Sequence, residues 1–483
     1  MKNHYFFENS FMNQCKTHYS QFFIIFLFLS CSEIIKTSEN HRENDIRLPN
    51  IILIVGDDQG YPYFGFMGAD YVHTPNMDSL AMSGVLFKNG YVPENHCRPS
   101  LQTLVTGILP TAFGYKRDSI MNNKMLKGDY KILSKMEKEK WKINFNFHAM
   151  KYFQTLPKIL KTRGYTSYQG GKWWEFSYQN GGFSEGMTTG WKKGEQGKKG
   201  WFYQFMGGEG RKLVRSTMKP VYNFIEKNSN KPFFIWFAPE LPHYPLNAPE
   251  KYYNLYKEKH MSESAKRYYA NCTWFDDSIG ELKQFIKNRG ELENTMFIYV
   301  NDNGWEQNPK QEFRNDSMRW HNGGDKGKLS MYDQSFRTPI IFSWKGNIDE
   351  GIVYDDLIHS ADISATIMDY LNIPLPKEIY GRSYRKIIKG QSINIRNEII
   401  GKINQIRSEQ NMMGEKTEVY WLRNKNWFFN WNPVTKHIEL YNMANDPFNN
   451  INVRDLYPEL VKEFKMKISM WQKKNKIFDQ GMS

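Results

Sequence analysis

Ile51-Ile52-Leu53-Ile54-Val55-Gly56-Asp57-Asp58-Gln59-Gly60 decides the fold. From Ile51 to Val55 the run is apolar without a break. A strand with one wet face would alternate, so this run marks a strand buried on both faces of a parallel sheet. It ends in two adjacent carboxylates, Asp57 and Asp58. The C-terminal end of a strand is where open α/β sheets hold ligands. Two neighbouring carboxylates repel each other, and a divalent cation is their natural partner. Taken alone, the pair also fits an exposed turn.

Similar strands are predicted at Phe233 to Ala238, Met296 to Val300 and Ile340 to Trp344. The first runs into Pro239-Glu240-Leu241-Pro242-His243-Tyr244-Pro245 and the second into Asn301-Asp302-Asn303-Gly304. A long helix is predicted from Ser262 to Arg289, with Cys272, Phe275, Ile279, Leu282 and Ile286 at helical spacing and Asp276 and Asp277 on its polar side. Asn95-His96-Cys97-Arg98-Pro99-Ser100-Leu101-Gln102-Thr103-Leu104-Val105-Thr106-Gly107 reads as a loop entering a short helix. Pro99 suits a first turn and Gly107 a stop. Cys97 then sits at the helix N-terminus, where free N–H groups favour an anion or a deprotonated nucleophile. A small buried cysteine before a core helix is the plainer reading of that stretch by itself.

The cysteine stretch resembles the signature of the type I sulfatases, the formylglycine-dependent branch of the alkaline-phosphatase-like superfamily. Cys97, Pro99, Ser100, Thr106 and Gly107 match it, and Leu101 stands where the family usually has arginine. The resemblance runs on in the family's order. Pro49 to Asp58 is similar to its opening, and Thr74-Pro75-Asn76-Met77-Asp78 to the capped helix start that follows. Gly171-Lys172-Trp173-Trp174 corresponds to a Gly-Lys-Trp-His site, with Trp174 in the histidine's place. The His243 loop, Asp302-Asn303-Gly304, and Lys328 to Pro339 correspond to further site segments.

The resemblance implies an α/β alkaline-phosphatase-like sandwich with a large, mostly parallel central sheet. A small C-terminal domain with an antiparallel sheet and a helix would follow. It implies a metal site of Asp57, Asp58, Asp302 and Asn303 with residue 97, holding one divalent cation, Ca²⁺. It implies formylglycine made from Cys97 by a formylglycine-generating maturation enzyme. Lys172, His243 and Lys328 would serve sulfate binding and catalysis, and counting back from Pro339 puts the second lysine at Lys328 rather than Lys326. With Trp174 in the histidine's place the base of the last step is unassigned, and His321 and His96 are the candidates. His359 is expected to be structural.

The chain has 483 residues, four cysteines and a formal net charge of +14. Phe22 to Leu29 is too short to span a bilayer and fits a signal-peptide core; Ser30-Cys31 after it resembles a bacterial lipobox. The expected organisation is therefore a leader at 1–31, a polar tether at 32–48, a catalytic domain at 49–389 and a small domain at 390–483. The membrane is met only through a lipid on Cys31, in the periplasm, on the outer membrane or outside the cell. Cys15 and Cys31 lie in the leader and Cys272 in the long helix, which is not a disulfide framework. A basic chain attracts polyanions at long range, but no nucleic-acid motif accompanies the charge, and scattered lysines are ordinarily solvated surface. The sulfatase resemblance, with an exported or lipid-anchored chain, implies a sulfated polysaccharide or oligosaccharide as substrate. Asp118 to Phe153 is rich in Lys, Met and Asn with no clear period, and Gly181 to Gly210 is rich in Gly and Lys; both read as loops or insertions. Two other readings remain from sequence: a metal phosphoesterase of the same superfamily, and a non-catalytic lipoprotein that binds sulfated glycans.

Overall fold

In the computed structural model, residues 47–127, 129–191, 201–305, 326–406 and 415–480 are described. The decisive run forms strand β1, Asn50–Gly56, buried at every position. It lies inside an eight-stranded sheet of order β4-β3-β5-β1-β6-β7-β2-β8. The other strands are β2 (Val85–Tyr91), β3 (Thr166–Gly171), β4 (Glu185–Gly186), β5 (Phe233–Ala238), β6 (Thr295–Asn301), β7 (Arg337–Ser343) and β8 (Ile352–His359). All neighbours run parallel except β7, which is antiparallel to β6 and β2.

Alternate residues of β1 enter different layers. Ile51, Leu53 and Val55 join one core with Leu101, Leu104, Ile363 and Ile367 from the helices Cys97–Thr106 and Ser360–Tyr370. Ile52 and Ile54 join the opposite core with Met77, Leu80, Phe275, Ile279 and Leu282 from the helices Pro75–Met82 and Glu263–Asn288. The unbroken apolar run is thus the signature of a sheet with helices on both faces. Ile52 and Ile54 are both fully buried, and each contributes about 1.5–3 kcal/mol of transfer free energy.

A second sheet, order β12-β11-β10-β9, is antiparallel throughout: β9 (Glu398–Ile406), β10 (Glu415–Asn424), β11 (Trp427–Trp431) and β12 (Ile438–Asn442). One face packs Leu422, Phe429 and Leu440 against Phe464 and Ile468 of the helix Pro458–Gln480. The other packs Ile399, Ile403 and Trp421 against Tyr91, Phe336 and Leu357 of the large sheet's strands and loops. Gly401 opposes Trp421 across this sheet, and a Cβ there would meet the indole at 2.4 Å, so only glycine admits the ring. From Leu48 onward the chain forms one compact unit.

Several local expectations change. Much of Asp118 to Phe153 is helical, in Pro110–Leu126 and Lys135–His148, the latter opened by a Ser134–Glu137 capping box. Both helices are largely exposed, so no apolar stripe marked them in the sequence. The Gly/Lys-rich stretch contributes the edge strand β4 and a short helix, Trp201–Phe205. Asp276 is buried, not on a polar face. It accepts the backbone N–H groups of Asn76 (3.0 Å) and Met77 (2.7 Å), and so caps the helix that Thr74 was expected to cap. Burial raises its carboxyl to about 7. His359 is structural, as expected: its ring accepts from the Ala361 N–H and opens the helix Ser360–Tyr370. Among the described residues no helix is long and apolar enough to cross a membrane.

Candidate active site

The C-terminal ends of β3, β5, β1 and β6 lie in that order along one edge of the sheet, and β1, β6 and β3 each deliver polar residues to one place. Asp57 and Asp58 follow β1. Asp302 and Asn303 follow β6, whose register pairs Gly56 with Asn301. Asp57, Asp58, Cys97 and Asp302 are all buried, and a ligand atom from each lies within 4.8 Å of the others. The backbone fixes this cluster. The Asp57 N–H donates to Leu241 O at 3.0 Å, the Asp302 N–H to Gly56 O at 3.0 Å and the Asp58 N–H to Asp302 Oδ1 at 3.2 Å. Asp58 sits at φ +66°, a left-handed conformation that costs energy outside glycine and turns its carboxylate back toward the cluster.

Cys97 opens the helix Cys97–Thr106, with His96 as its N-cap and Gly107 in the left-handed region at its end. The helix starts where the sequence placed it, but the expected thiolate is not favoured. Burial pushes the Cys97 thiol well above its usual value; Lys172 and Lys328 pull it down, while Asp302 and Asp58 push it up. Leu101 points into the main core. Arg98 reaches the other way, pairing with Glu175 at 3.0 and 3.2 Å, and Gln102 donates to the same carboxylate at 2.8 Å.

Lys172 follows β3. The backbone there is drawn against the end of β5: the Lys172 N–H donates to Ala238 O at 2.6 Å, and Gly171 (φ +93°) has no room for a Cβ, which would lie 1.9 Å from that oxygen. Lys172 Nζ is 2.6 Å from Asp57 Oδ1, 3.6 Å from Asp302 Oδ2 and 5.7 Å from the centre of the Trp174 ring. Burial works against its charge, but Asp57, Cys97, Asp302 and Asp58 outweigh it and hold the ammonium well above its ordinary value. Lys328 is paired with Asp58, its Nζ 2.9 Å from Asp58 Oδ2. His243 Nε2 is 3.5 Å from that same oxygen. Lys326 faces away and donates to Phe448 O, Asn449 O and Asn450 Oδ1 at 2.7, 2.5 and 3.0 Å. His96 is at the helix start; burial, then Lys328, lower its ring to about 4. His321 lies outside the described residues.

The donor set fits a hard cation. Asp57 Oδ2, Asp302 Oδ2 and Asn303 Oδ1 are buried oxygens without a hydrogen-bond donor, while Asn303 Nδ2 is turned to Asp58 Oδ1 at 2.5 Å. Oxygens left bare inside a protein are costly unless something positive meets them, and carboxylate and amide oxygens are calcium's ordinary ligands. Burial, and then Asp57, raise the Asp302 carboxyl to about 7, with Lys172 opposing. Such crowding of acids is what a bound cation would relieve.

Sequence reasoning missed the residues that hold the His243 loop. Arg215 donates to Glu240 O (2.6 Å) and His243 O (2.7 Å), and Asn271 donates to Pro242 O (3.2 Å) and Pro245 O (3.1 Å) while its Oδ1 accepts from the Ala248 N–H. Arg215 sits just beyond a Gly/Lys-rich stretch that looks like solvated surface. Asn271 did carry a signal, since it is a polar residue beside Cys272 on the apolar stripe of its helix. Tyr268, one helical turn before Cys272, donates to Asp58 O at 2.8 Å.

A doubly covered α/β sheet with an acid-lysine-cysteine cluster at its strand ends matches the sulfatase family over residues 49–373, and residues 323–474 match the C-terminal region of N-sulphoglucosamine sulphohydrolase. The chain belongs to the sulfatase family, within the alkaline-phosphatase-like superfamily, and is a sulfuric ester hydrolase. An arylsulfatase of Clostridium perfringens is 23% identical over 454 residues, covering 83% of this chain and 89% of the relative. An ulvan-active sulfatase of Formosa agariphila is 22% identical, covering 81% and 69%. Among solved structures, BT4656 in complex with its substrate D-glucosamine-2-N,6-O-disulfate superposes with a TM-score of 0.66 at 17% identity, covering 89% of this chain and 98% of that one. Ps i-CgsB in complex with k-i-k-neocarrahexaose gives 0.65 at 20% identity, covering 88% and 93%.

Proposed function

We propose that this chain removes sulfate from a sulfated polysaccharide or oligosaccharide, with residue 97 as nucleophile after conversion of Cys97 to formylglycine by a maturation enzyme. The observation that carries this reading is the buried group of Asp57, Asp58, Cys97 and Asp302, with three bare oxygens around it and a lysine paired with each of Asp57 and Asp58. Asp57, Asp58, Asp302 and Asn303 would hold one divalent cation, Ca²⁺, which when bound withdraws electron density from a sulfate oxygen. Converted residue 97 supplies a hydrated aldehyde oxygen at the place now held by Sγ. Lys172, paired with Asp57, and Lys328, paired with Asp58, offset the charge that builds as the S–O bond breaks. His243 Nε2 points at the cluster from the loop clamped by Arg215 and Asn271, a position suited to protonating the leaving alcohol oxygen. Trp174 packs edge-on to Phe205 and over Lys172, so it screens the ammonium from water but holds no proton to exchange. Burial and Lys328 hold the His96 ring neutral and oppose its taking a proton, so the base of the final step is not assigned to it.

Carbohydrate as substrate rests on the sulfated sugars named for the structural neighbours and the ulvan-active relative. Export and lipid attachment at Cys31 rest on the leader's sequence, which lies outside the described residues. A division at about residue 389 follows the start of the second sheet, although the two sheets share a core. Mass spectrometry of the residue-97 peptide from the native host tests the chemistry. Loss of sulfur with gain of an aldehyde, together with sulfate release from sulfated oligosaccharides, is expected. An intact thiol in protein that only binds such sugars would favour the non-catalytic reading, and turnover of phosphate esters in place of sulfate esters would favour the phosphoesterase.

A further inference from the structure

Beside the cluster lies a cleft of about 630 Å³ to which the chemistry above assigns no part of the substrate. Its floor is the cysteine stretch: His96 and Arg98, the neighbours of Cys97, both line it. One wall is the helix Pro110–Leu126, which presents Arg117 and the half-exposed ring of Tyr115. The facing wall belongs to the small sheet, where β9 and β10 present Lys402, Asn404 and Lys416.

The strand period explains why cations stand there. Ile400, Lys402 and Asn404 share one face of β9. Ile400 is packed in the core that Phe464 and Ile468 of the C-terminal helix close. Two and four residues on, the same face lines the cleft, and the residue type changes from apolar to Lys402 and Asn404. This wall is tied to the nucleophile's own loop. Asn95 Nδ2 donates to Gln405 O at 2.8 Å, and Asn404 Nδ2 donates to the buried carboxylate of Glu94. A ligand held by the small sheet is therefore held in register with residue 97.

The charges in the cleft differ in how far they are spent. Arg98 is committed to Glu175, and Arg117 has Asp118 at 2.8 Å. Lys402 is only loosely paired, at 3.4 Å from a half-exposed Glu418. Lys416 has no ion-pair partner among the described residues. Besides one half-exposed ring, Tyr115, and the amides Gln102 and Asn404, the cleft holds the acids Glu94 and Asp118; Glu94 is bonded by Asn404 and Asp118 by Arg117, which leaves Lys402 and Lys416 as its least committed charges.

We propose that this cleft is the subsite for the remainder of the substrate, and that Lys402 and Lys416, faced by Arg117, bind a second anionic group on the saccharide that carries the scissile sulfate. This rests on the sulfatase reading of the Cys97 site. The group is a second sulfate or a uronate carboxylate, which offer the same acceptor oxygens to an ammonium. The subsite makes the enzyme selective for multiply charged oligosaccharides over singly sulfated ones.

The test uses Lys402→Gln, Lys416→Gln and the double variant, since glutamine keeps the stem and removes the charge. The probes are 4-nitrophenyl sulfate, a carrageenan hexasaccharide bearing several sulfates, and an ulvan oligosaccharide bearing sulfate and uronate. Each single variant is expected to raise KM for a charged oligosaccharide about tenfold, equivalent to about 1.4 kcal/mol, and the double variant more, with kcat retained and aryl-sulfate turnover unchanged. A loss confined to the carrageenan probe assigns the group as sulfate, and one confined to the ulvan probe assigns it as carboxylate. Unchanged KM for every probe overturns the proposal, and so does an equal loss on the aryl sulfate, which would make the lysines part of the reaction centre or the framework. The same oligosaccharides are titrated into Cys97→Ala with and without the two lysines. Lysine-dependent binding there, with no turnover in the wild type, keeps the subsite and overturns the sulfatase reading. Turnover with lysine-independent binding does the reverse.

Discussion

Lys326 and Lys328 lie two positions apart on one loop and should fail in opposite ways. Lys326 is 5% exposed and spends its ammonium on three oxygens of the turn at Phe448 to Asn450. Charge-assisted bonds of this kind are worth about 1.5–3 kcal/mol each in isolation. The oxygens of Phe448 and Asn450 lie near solvent and rehydrate when the lysine is gone, whereas the Asn449 carbonyl belongs to a residue that is 2% exposed. Lys326→Met should therefore cost about 3 kcal/mol, less than the simple sum, and lower Tm by several degrees. Its kcat, normalised to the folded fraction, should stay within about twofold of wild type. Lys328→Met removes the ammonium 2.9 Å from Asp58. Loss of one preorganised cation facing developing negative charge costs about 10²–10³ in turnover. Its Tm should move little in Ca²⁺-containing buffer, because the cation takes over the neutralisation of Asp58. Initial rates of sulfate release, read beside thermal melts, separate the two. If Lys326→Met abolished turnover in fully folded protein while Lys328→Met kept it, the assignment of this loop would be refuted.

Asp302→Ala should lose bound metal and activity together, and elemental analysis showing full occupancy would place the cation elsewhere. Cys97→Ala should abolish sulfate release and labelling by an aldehyde-selective hydrazide while leaving the melting curve nearly unchanged; turnover near wild type would end the nucleophile assignment. Asn271→Leu leaves the Ala248 N–H and two carbonyls of the His243 loop without this partner. A cost of about 2 kcal/mol and roughly tenfold in kcat is expected, and an unchanged kcat would show that the loop is held by Arg215 alone. For Asp276 the sign follows from burial raising its carboxyl from the ordinary carboxylate range to about 7. The native state then holds the proton more tightly than the unfolded chain, so this contribution is complete below pH 4 and is lost as pH rises toward 7. Stability of wild type minus that of Asp276→Asn should fall between pH 4 and 7 and level off above; a difference that is flat or rises with pH contradicts this.

The sheet was legible in the sequence because a strand covered on both faces has no polar alternation to obscure it, as Ile51 to Val55 and Phe233 to Ala238 show. Site segments were legible for a related reason. A strand end fixes its next two or three residues in space, so Asp57 and Asp302 converge from neighbouring strands and Lys172 reaches them from the strand beyond β5. What stayed hidden depends on contacts far apart in the chain. Asp276 caps a helix 200 positions earlier, and no local pattern marks an aspartate that serves another helix. The helices Pro110–Leu126 and Lys135–His148 escaped detection because few of their positions are buried. The state of the Cys97 thiol was misjudged because a helix N-terminus was weighed without the burial that outweighs it.

The bond from Asn95 to Gln405 joins residues 310 positions apart. At about 5–20 residues per second, the ribosome makes Gln405 roughly 15–60 s after Asn95 has appeared. Asn95 closes first against Leu329 and Ser330, and Gln405 adds the last of its long-range bonds. In the finished fold Cys97 is 5% exposed and belongs to the core of the large sheet, while second-sheet residues line the cleft beside its neighbours His96 and Arg98. An enzyme that oxidises this cysteine must act on an open chain. The cysteine loop is therefore closed in two stages by segments made after it, first at Leu329 and Ser330 and then at Gln405.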